Sequence, residues 1–252
     1  MNTYVILKLV PDLVEEINVD DSGRALDMEW MRLIINEADN HALEQAILLK
    51  EATGGSVTVI AEDSDDIDDV LFAAGARGAD RLVKLSGDAA GDNERLAAEL
   101  APTLAGGAPD LILTGVQAHN DLDGPVGPRV AEALGLPYVG YVAGVAPGDG
   151  AVVVKKEFPG GLLTEMEVTL PAVLGIQAAE QPPRYVAVSK IRQAMKTSTL
   201  EDVEAAVPAG PAGVVAGRMY APESTDRATM LEGDEEEVSA SLIAVLRDLG
   251  VL

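Results

Sequence analysis

Leu111-Ile112-Leu113-Thr114-Gly115-Val116-Gln117-Ala118-His119-Asn120-Asp121-Leu122-Asp123-Gly124-Pro125-Val126-Gly127-Pro128 is the stretch that decides the fold class. A short apolar run closes on a glycine, and a polar loop follows. Pro125 then stands where a helix starts, and that helix runs on through Val130, Ala131 and Leu134. Strand, loop and helix in that order form the unit of an open α/β sheet, whose ligands sit beyond the carboxyl ends of the strands. Gly115, Gly124 and Gly127 would let backbone approach a ligand closely, and the helix start offers free N–H groups to a phosphate. The same residues also suit a plain turn, so the loop by itself leaves both readings open.

Outward from this unit the alternation repeats. Apolar runs at 4–9, 57–60 and 81–85 read as buried strands. Helical spacing covers 37–50, with Asn36 as its N-cap, and also 67–74 and 93–104. The expected fold is a doubly wound, mainly parallel α/β sheet of the Rossmann-like, adenine-nucleotide-binding type over residues 1–180. After Pro137 the pattern changes. Segments 151–156 and 163–170 flank Pro159-Gly160-Gly161, a β-hairpin signal, and 172–176 adds a strand. Gln181-Pro182-Pro183-Arg184 continues neither strand nor helix easily, and opens an extended C-terminal arm over 181–207. The region 208–252 reads as a Pro/Gly/Ala linker, at 208–217, followed by an amphipathic helix at 238–249. Acidic residues at 232–237 favour that helix's N-terminus.

Composition narrows the chemistry. The chain has 252 residues, of which 48% are hydrophobic and 3% aromatic, so the core must be built from Val, Leu, Ile and Ala. There is no Cys, which removes disulfides, thiolate metal sites and cysteine nucleophiles. No G-x-S-x-G, P-loop or H-E-x-x-H occurs, and the two His, His41 and His119, make no dyad that spacing reveals. No apolar run approaches transmembrane length, which points to a cytoplasmic protein without membrane insertion.

The 42 Asp and Glu against 18 Lys and Arg give a formal charge of −24, which repels nucleic acid and anionic lipid. Such acidity fits either a salt-rich cytoplasm or an ordinary acidic protein. Between Gln181 and Leu200 the sign reverses: Arg184, Lys190, Arg192 and Lys196 occur with no acidic residue among them. That stretch either lies on the chain's own acidic surface or reaches an acidic partner, where complementary charge speeds and orients association.

A set of short motifs in fixed order resembles the beta subunit of electron-transfer flavoproteins. They are Lys8-Leu-Val-Pro-Asp12, Asn36-Glu-Ala-Asp39, Ala42-Leu43-Glu44-Gln45-Ala46, Gly78-Ala79-Asp80-Arg81, Gly115-Val-Gln117-Ala118, Val126-Gly127-Pro128, Gly160-Gly161, Leu170-Pro171-Ala172-Val173 and Pro183-Arg184-Tyr185. The resemblance implies a heterodimer whose alpha subunit carries the redox FAD and exchanges electrons with dehydrogenases. It also implies an adenine nucleotide on this subunit, AMP or a second FAD. Ile6, Asn36, Asp39, Glu62, Gly115, Gln117, Asp121, Asp123, Gly124, Val126 and Gly127 would line that site. Val10 and Leu13 would face the partner's flavin, and Arg184, Val188, Lys190, Arg192 and Lys196 would dock partners.

The loop departs from the family's pattern. Asn120-Asp-Leu-Asp-Gly-Pro125 lacks the polar side chains that usually hold phosphate, Pro125 removes an N–H, and Leu9 stands where a basic residue is usual. Asp121 and Asp123 would repel a phosphate unless a cation or a basic neighbour offset them. AMP, FAD and no nucleotide all stay open. The alternative function is a stand-alone adenine-nucleotide-binding or sensor module of the same α/β class.

Overall fold

Both faces of the first strand are buried. In β1 (Asn2–Leu7), Val5 and Leu7 pack into one apolar cluster while Tyr4 and Ile6 pack into another. A period-two strand does this only when its sheet is covered on both sides. The computed structural model describes residues 1–87, 89, 92–205, 214–222 and 228–252. The expected linker at 208–217 falls outside them except for its last four residues.

Along the chain, β2 (Leu9–Pro11) pairs with β3 (Leu33–Ile35) as a small antiparallel ribbon, and α1 (Glu37–Thr53) follows. Next come β4 (Ser56–Glu62), α2 (Ile67–Arg77), β5 (Arg81–Ser86), α3 (Asn93–Gly107), β6 (Leu111–Gly115) and α4 (Val126–Leu134). Three strands then run in succession, β7 (Tyr138–Pro147), β8 (Ala151–Phe158) and β9 (Leu162–Thr169), before β10 (Ala172–Ile176). The chain closes with α5 (Val188–Thr197), β11 (Leu200–Glu204) and α6 (Glu235–Asp248).

Among the described residues the main sheet has nine strands in the order β11-β5-β4-β1-β6-β10-β7-β8-β9. Pairing is parallel from β11 to β7 and antiparallel across β7-β8-β9. Leu43 and Ile47 of α1 and Leu71 of α2 cover one face with Val5, Val57 and Val59; Leu96 and Leu100 of α3 and Val130 of α4 cover the other with Tyr4, Ile60 and Ile112. This is the expected doubly wound α/β class with its hairpin addition.

Several local expectations need correction. Asn36 occupies the N-cap position of α1, yet its side chain makes no capping bond; its Nδ2 donates instead to the Gln117 carbonyl at 3.2 Å. Pro125 is the N-cap of α4 rather than its first helical residue. The strand expected at 4–9 breaks at Lys8, because its end leaves the sheet to form the ribbon. β7 was missed because it holds Gly140 and Gly144, positive φ at Tyr141 and Gly144, and register shifts, which blur the two-residue period. β11 was missed because Glu201, Asp202 and Glu204 alternate with only Leu200 and Val203 at the sheet's edge. The stretch 181–207 therefore contains a helix and returns to the sheet.

Candidate functional site

Beyond the carboxyl ends of β1 and β4, a cleft of about 570 Å³ opens between the start of α3 and the loop after β6. Ile6, Lys8, Glu62, Asn93, Asn120 and Asp123 are on its walls. Val214, Val215 and Met219, from the C-terminal region, line it too; Met219 is tied there by its N–H donating to the Gly23 carbonyl at 2.7 Å. The position is the one where open α/β sheets hold ligands.

The floor beside the cleft is organised by Asp39. Its carboxylate accepts from the Gly115 N–H at 2.6 Å and from the Lys8 N–H at 2.9 Å, so it joins the ends of β6 and β1 to the first turn of α1. Burial pushes its carboxyl up to about 6 from an ordinary 3.8, against the pull of those two N–H groups and of the Lys8 charge. Only glycine fits at 115: a Cβ there would lie 2.5 Å from Asp39 Oδ1 and 2.8 Å from the Asp39 amide nitrogen. Asn36 is likewise buried and spent on the Gln117 carbonyl. These two residues tie elements together.

The loop after β6 folds inward on two carboxylates. Asp121, 2% exposed in its side chain, takes an ion pair from Lys8 Nζ and hydrogen bonds from Asn93 Nδ2 at 2.7 Å and the Ala118 N–H at 2.8 Å. Asp123, 3% exposed in its side chain, accepts from the Glu94 N–H in the first turn of α3 at 3.1 Å and lies 3.4 Å from Arg129. Arg129 also donates to the Asp123 carbonyl and reaches Glu94 at 3.5 Å. Asn93 Nδ2 closes the loop on the Gly124 carbonyl at 2.8 Å, where Gly124 takes φ +95. Among the described residues, Asp123 Oδ1 and Asn120 Oδ1 are buried without a hydrogen-bond partner.

Of the residues expected at a nucleotide site, Ile6, Glu62 and Asp123 line the cleft. Asn36, Asp39 and Gly115 lie buried in its supporting network, as does the Asp121 side chain, Val126 and Gly127 are buried at the start of α4, and Gln117 is exposed. Val10 is buried in the β2-β3 ribbon, while Leu13 is 57% exposed. The expected docking residues separate. Arg184 is held by the chain itself, 2.8 Å from buried Glu44 and 2.7 Å from Glu51, whereas Val188, Lys190, Arg192 and Lys196 are exposed on and beside α5. Lys8, Asn93 and Arg129 were not anticipated as site residues. The available signal was electrostatic: two acidic side chains turned inward require buried or half-buried cations. His41 and His119 are each engaged by backbone, His41 Nδ1 accepting from the Ala179 N–H at 3.2 Å and His119 Nε2 lying 3.0 Å from the Pro11 carbonyl.

A family model described as the electron transfer flavoprotein domain matches residues 30–208. The chain is 33% identical to the electron transfer flavoprotein subunit beta of Methylophilus methylotrophus over 262 aligned positions, covering 98% of each chain. It is 34% identical to the subunit of the same name from Syntrophomonas wolfei, covering 97% of this chain and 94% of the relative. The acryloyl-CoA reductase electron transfer subunit gamma of Anaerotignum propionicum is 32% identical over 77% of this chain and 74% of its own length.

The chain belongs to the electron transfer flavoprotein family, on the beta-subunit side. Members of that family are electron carriers. Among the described residues no group of His, Cys, Asp and Glu is arranged to hold a metal, and no helix is long and apolar enough to cross a membrane.

The phosphates of an AMP or a second FAD do not fit the loop end of the cleft. The donors there, Lys8, the α3 N-terminus and Arg129, already meet carboxylates, and the two orphaned atoms are acceptors. A phosphate, chiefly an acceptor at neutral pH, would add repulsion to both.

Proposed function

We propose that this chain is the cofactor-positioning half of a two-subunit electron carrier. It pairs with an alpha subunit that holds a redox FAD, and shuttles electrons in the cytoplasm between dehydrogenases and a downstream acceptor. The observation that carries the reading is α6. None of its residues is buried, yet Val238, Leu242, Val245 and Leu246 recur at helical spacing along it, and Leu249 follows as its C-cap. An amphipathic helix with an open apolar stripe is made to be covered by another chain. Exposed Leu13, Val14 and Trp30 around the β2-β3 ribbon add a second apolar surface, which would lie towards the flavin-bearing subunit.

The FAD supplies the electron chemistry. The tasks left to this chain are shaping one wall of the flavin's surroundings, holding the subunits together and docking redox partners. For docking, α5 offers exposed Val188 among Lys190, Arg192 and Lys196, a basic and apolar face on an acidic molecule. The Glu44 and Glu51 carboxylates hold Arg184, and so fix where the segment leading to α5 leaves the sheet. The acidic loop favours a carrier with one flavin over one that splits electron pairs between two. Co-expression with an alpha-type flavoprotein subunit tests the proposal: a yellow complex with oxidised-flavin absorption is expected, and a colourless one would overturn it.

A further inference from the structure

Five donors converge at the loop end of the cleft: Lys8 Nζ, Asn93 Nδ2, the Ala118 and Glu94 N–H groups and the Arg129 guanidinium. A cation on a strand end, backbone N–H groups at a helix N-terminus and an arginine behind them are the parts from which phosphate sites are made. Here they are aimed at the chain's own Asp121 and Asp123, whose side chains are 2% and 3% exposed. We propose that these two carboxylates are a built-in substitute for a nucleotide's phosphates. By this account the subunit completes its fold with an anion of its own and excludes phosphate from the cleft.

Three observations support the substitution over an accidental cluster. The cations are divided between the two carboxylates: Asp121 neutralises Lys8, and Asp123 meets Arg129 and shares the Glu94 N–H of α3 with the N-cap carboxylate of Asp92, 3.0 Å away. Half-buried cations left without anions would be costly, so the carboxylates hold together what a bound phosphate otherwise would. Asp123 Oδ1 is buried without a donor among the described residues, so a phosphate oxygen brought beside it would meet a second bare acceptor. Pro125, with no N–H to give, caps α4 and weakens the other helix start as an anion site.

The inference rests on the subunit reading above but is read out separately from it. In the purified heterodimer, protein-released nucleotides are counted by chromatography. The alpha subunit's FAD reports the carrier reading; any further AMP, ADP or FAD reports on this cleft. The expected result is no second nucleotide, and a stoichiometric second nucleotide would overturn the inference while leaving the carrier reading intact. The full-length chain alone is then melted with AMP or inorganic phosphate at millimolar concentration, against chloride at matched ionic strength. For the unaltered chain a shift under about 1 °C is expected. For the Asp121→Ser/Asp123→Ser double variant a lower starting Tm and a phosphate-specific rise of several degrees are expected, as for any ligand bound only by the folded state (about 4–8 °C per kcal/mol in small domains and about half that in larger ones). AMP or phosphate stabilising the unaltered chain as much as the variant would contradict the proposal. If the variant fails to fold, the nucleotide count and the unaltered chain's melting still decide.

Discussion

Asp39 has its carboxylate sealed from water and satisfied by two backbone N–H groups, one from each neighbouring strand end. Asp39→Ala strands both donors, at a cost of about 2–4 kcal/mol at pH 7, measured by urea unfolding. The pH dependence has a definite sign. The folded carboxyl sits near 6 against an ordinary 3.8, so the folded state binds the proton more tightly than the unfolded state. The proton-linked part of its contribution is therefore fully present below about pH 4 and is lost as pH rises through about 6. The unaltered chain's advantage over Asp39→Ala should thus widen on acidification from pH 7 to 4, by an amount on the order of 3 kcal/mol. An advantage that shrinks on acidification would show that the carboxylate is favoured in its charged form. At this scale the sequence is partly legible. The types and places of Asn36, Asp39 and Gly115 point to a strand-end cluster, but their partners lie 76 or more residues away for the Gly115 and Gln117 contacts. No local spacing encodes such a partner.

The segment from Ala179 to Arg184 is held on the polar face of α1 by side chains rather than by strand pairing. His41, Gln45 and Glu44 accept from the Ala179, Glu180 and Arg184 N–H groups at 3.2, 3.1 and 2.9 Å. Residues 41, 44 and 45 share a helix face, so a single element fixes the whole crossing. Glu44 is 2% exposed in its side chain and Glu51 56%, and the two should behave differently. Glu44→Ala should cost about 2–4 kcal/mol and raise hydrogen exchange through 179–197, while Glu51→Ala costs under about 1 kcal/mol and leaves exchange unchanged. Equal effects would mean that the crossing is held by something other than the buried carboxylate. Reversing Lys190, Arg192 and Lys196 to Glu should slow electron delivery to the redox partner at low salt, with the difference shrinking as ionic strength rises. A rate that ignores the reversal would place the docking face elsewhere. The buried parallel strands and their helices were readable because period and apolar runs agree. The irregular β7 and the acidic edge strand β11 were not, because register shifts and charge erase that period. The charge inversion at 181–200 was visible in the sequence, yet it joined two roles that the fold separates, an internal clamp at Arg184 and an open basic face on α5.

Across the whole molecule, a formal charge of −24 makes the folded chain repel itself. One concentration of that charge is Asp63, Asp65, Asp66, Asp68 and Asp69, with Lys84 set among them. Tm should therefore rise as KCl increases from 0.05 to about 0.3 M, where screening shortens to several ångströms. A flat or falling curve would mean that self-repulsion is already balanced within the fold. A rise continuing into molar salt would point to a salt-rich home. The same acidic surface is interrupted by the apolar residues of α6 and of the β2-β3 ribbon. Composition shows neither patch, because which apolar side chains remain uncovered is settled only once the sheet has taken its own. Those open surfaces are the basis for a partnered life, so the direct test is native mass spectrometry of the full-length chain co-expressed with an alpha-type flavoprotein subunit. The account predicts one 26.2 kDa chain, one alpha chain and one FAD in a single particle. A chain that stays alone, or pairs only with itself, in the presence of that subunit would contradict it.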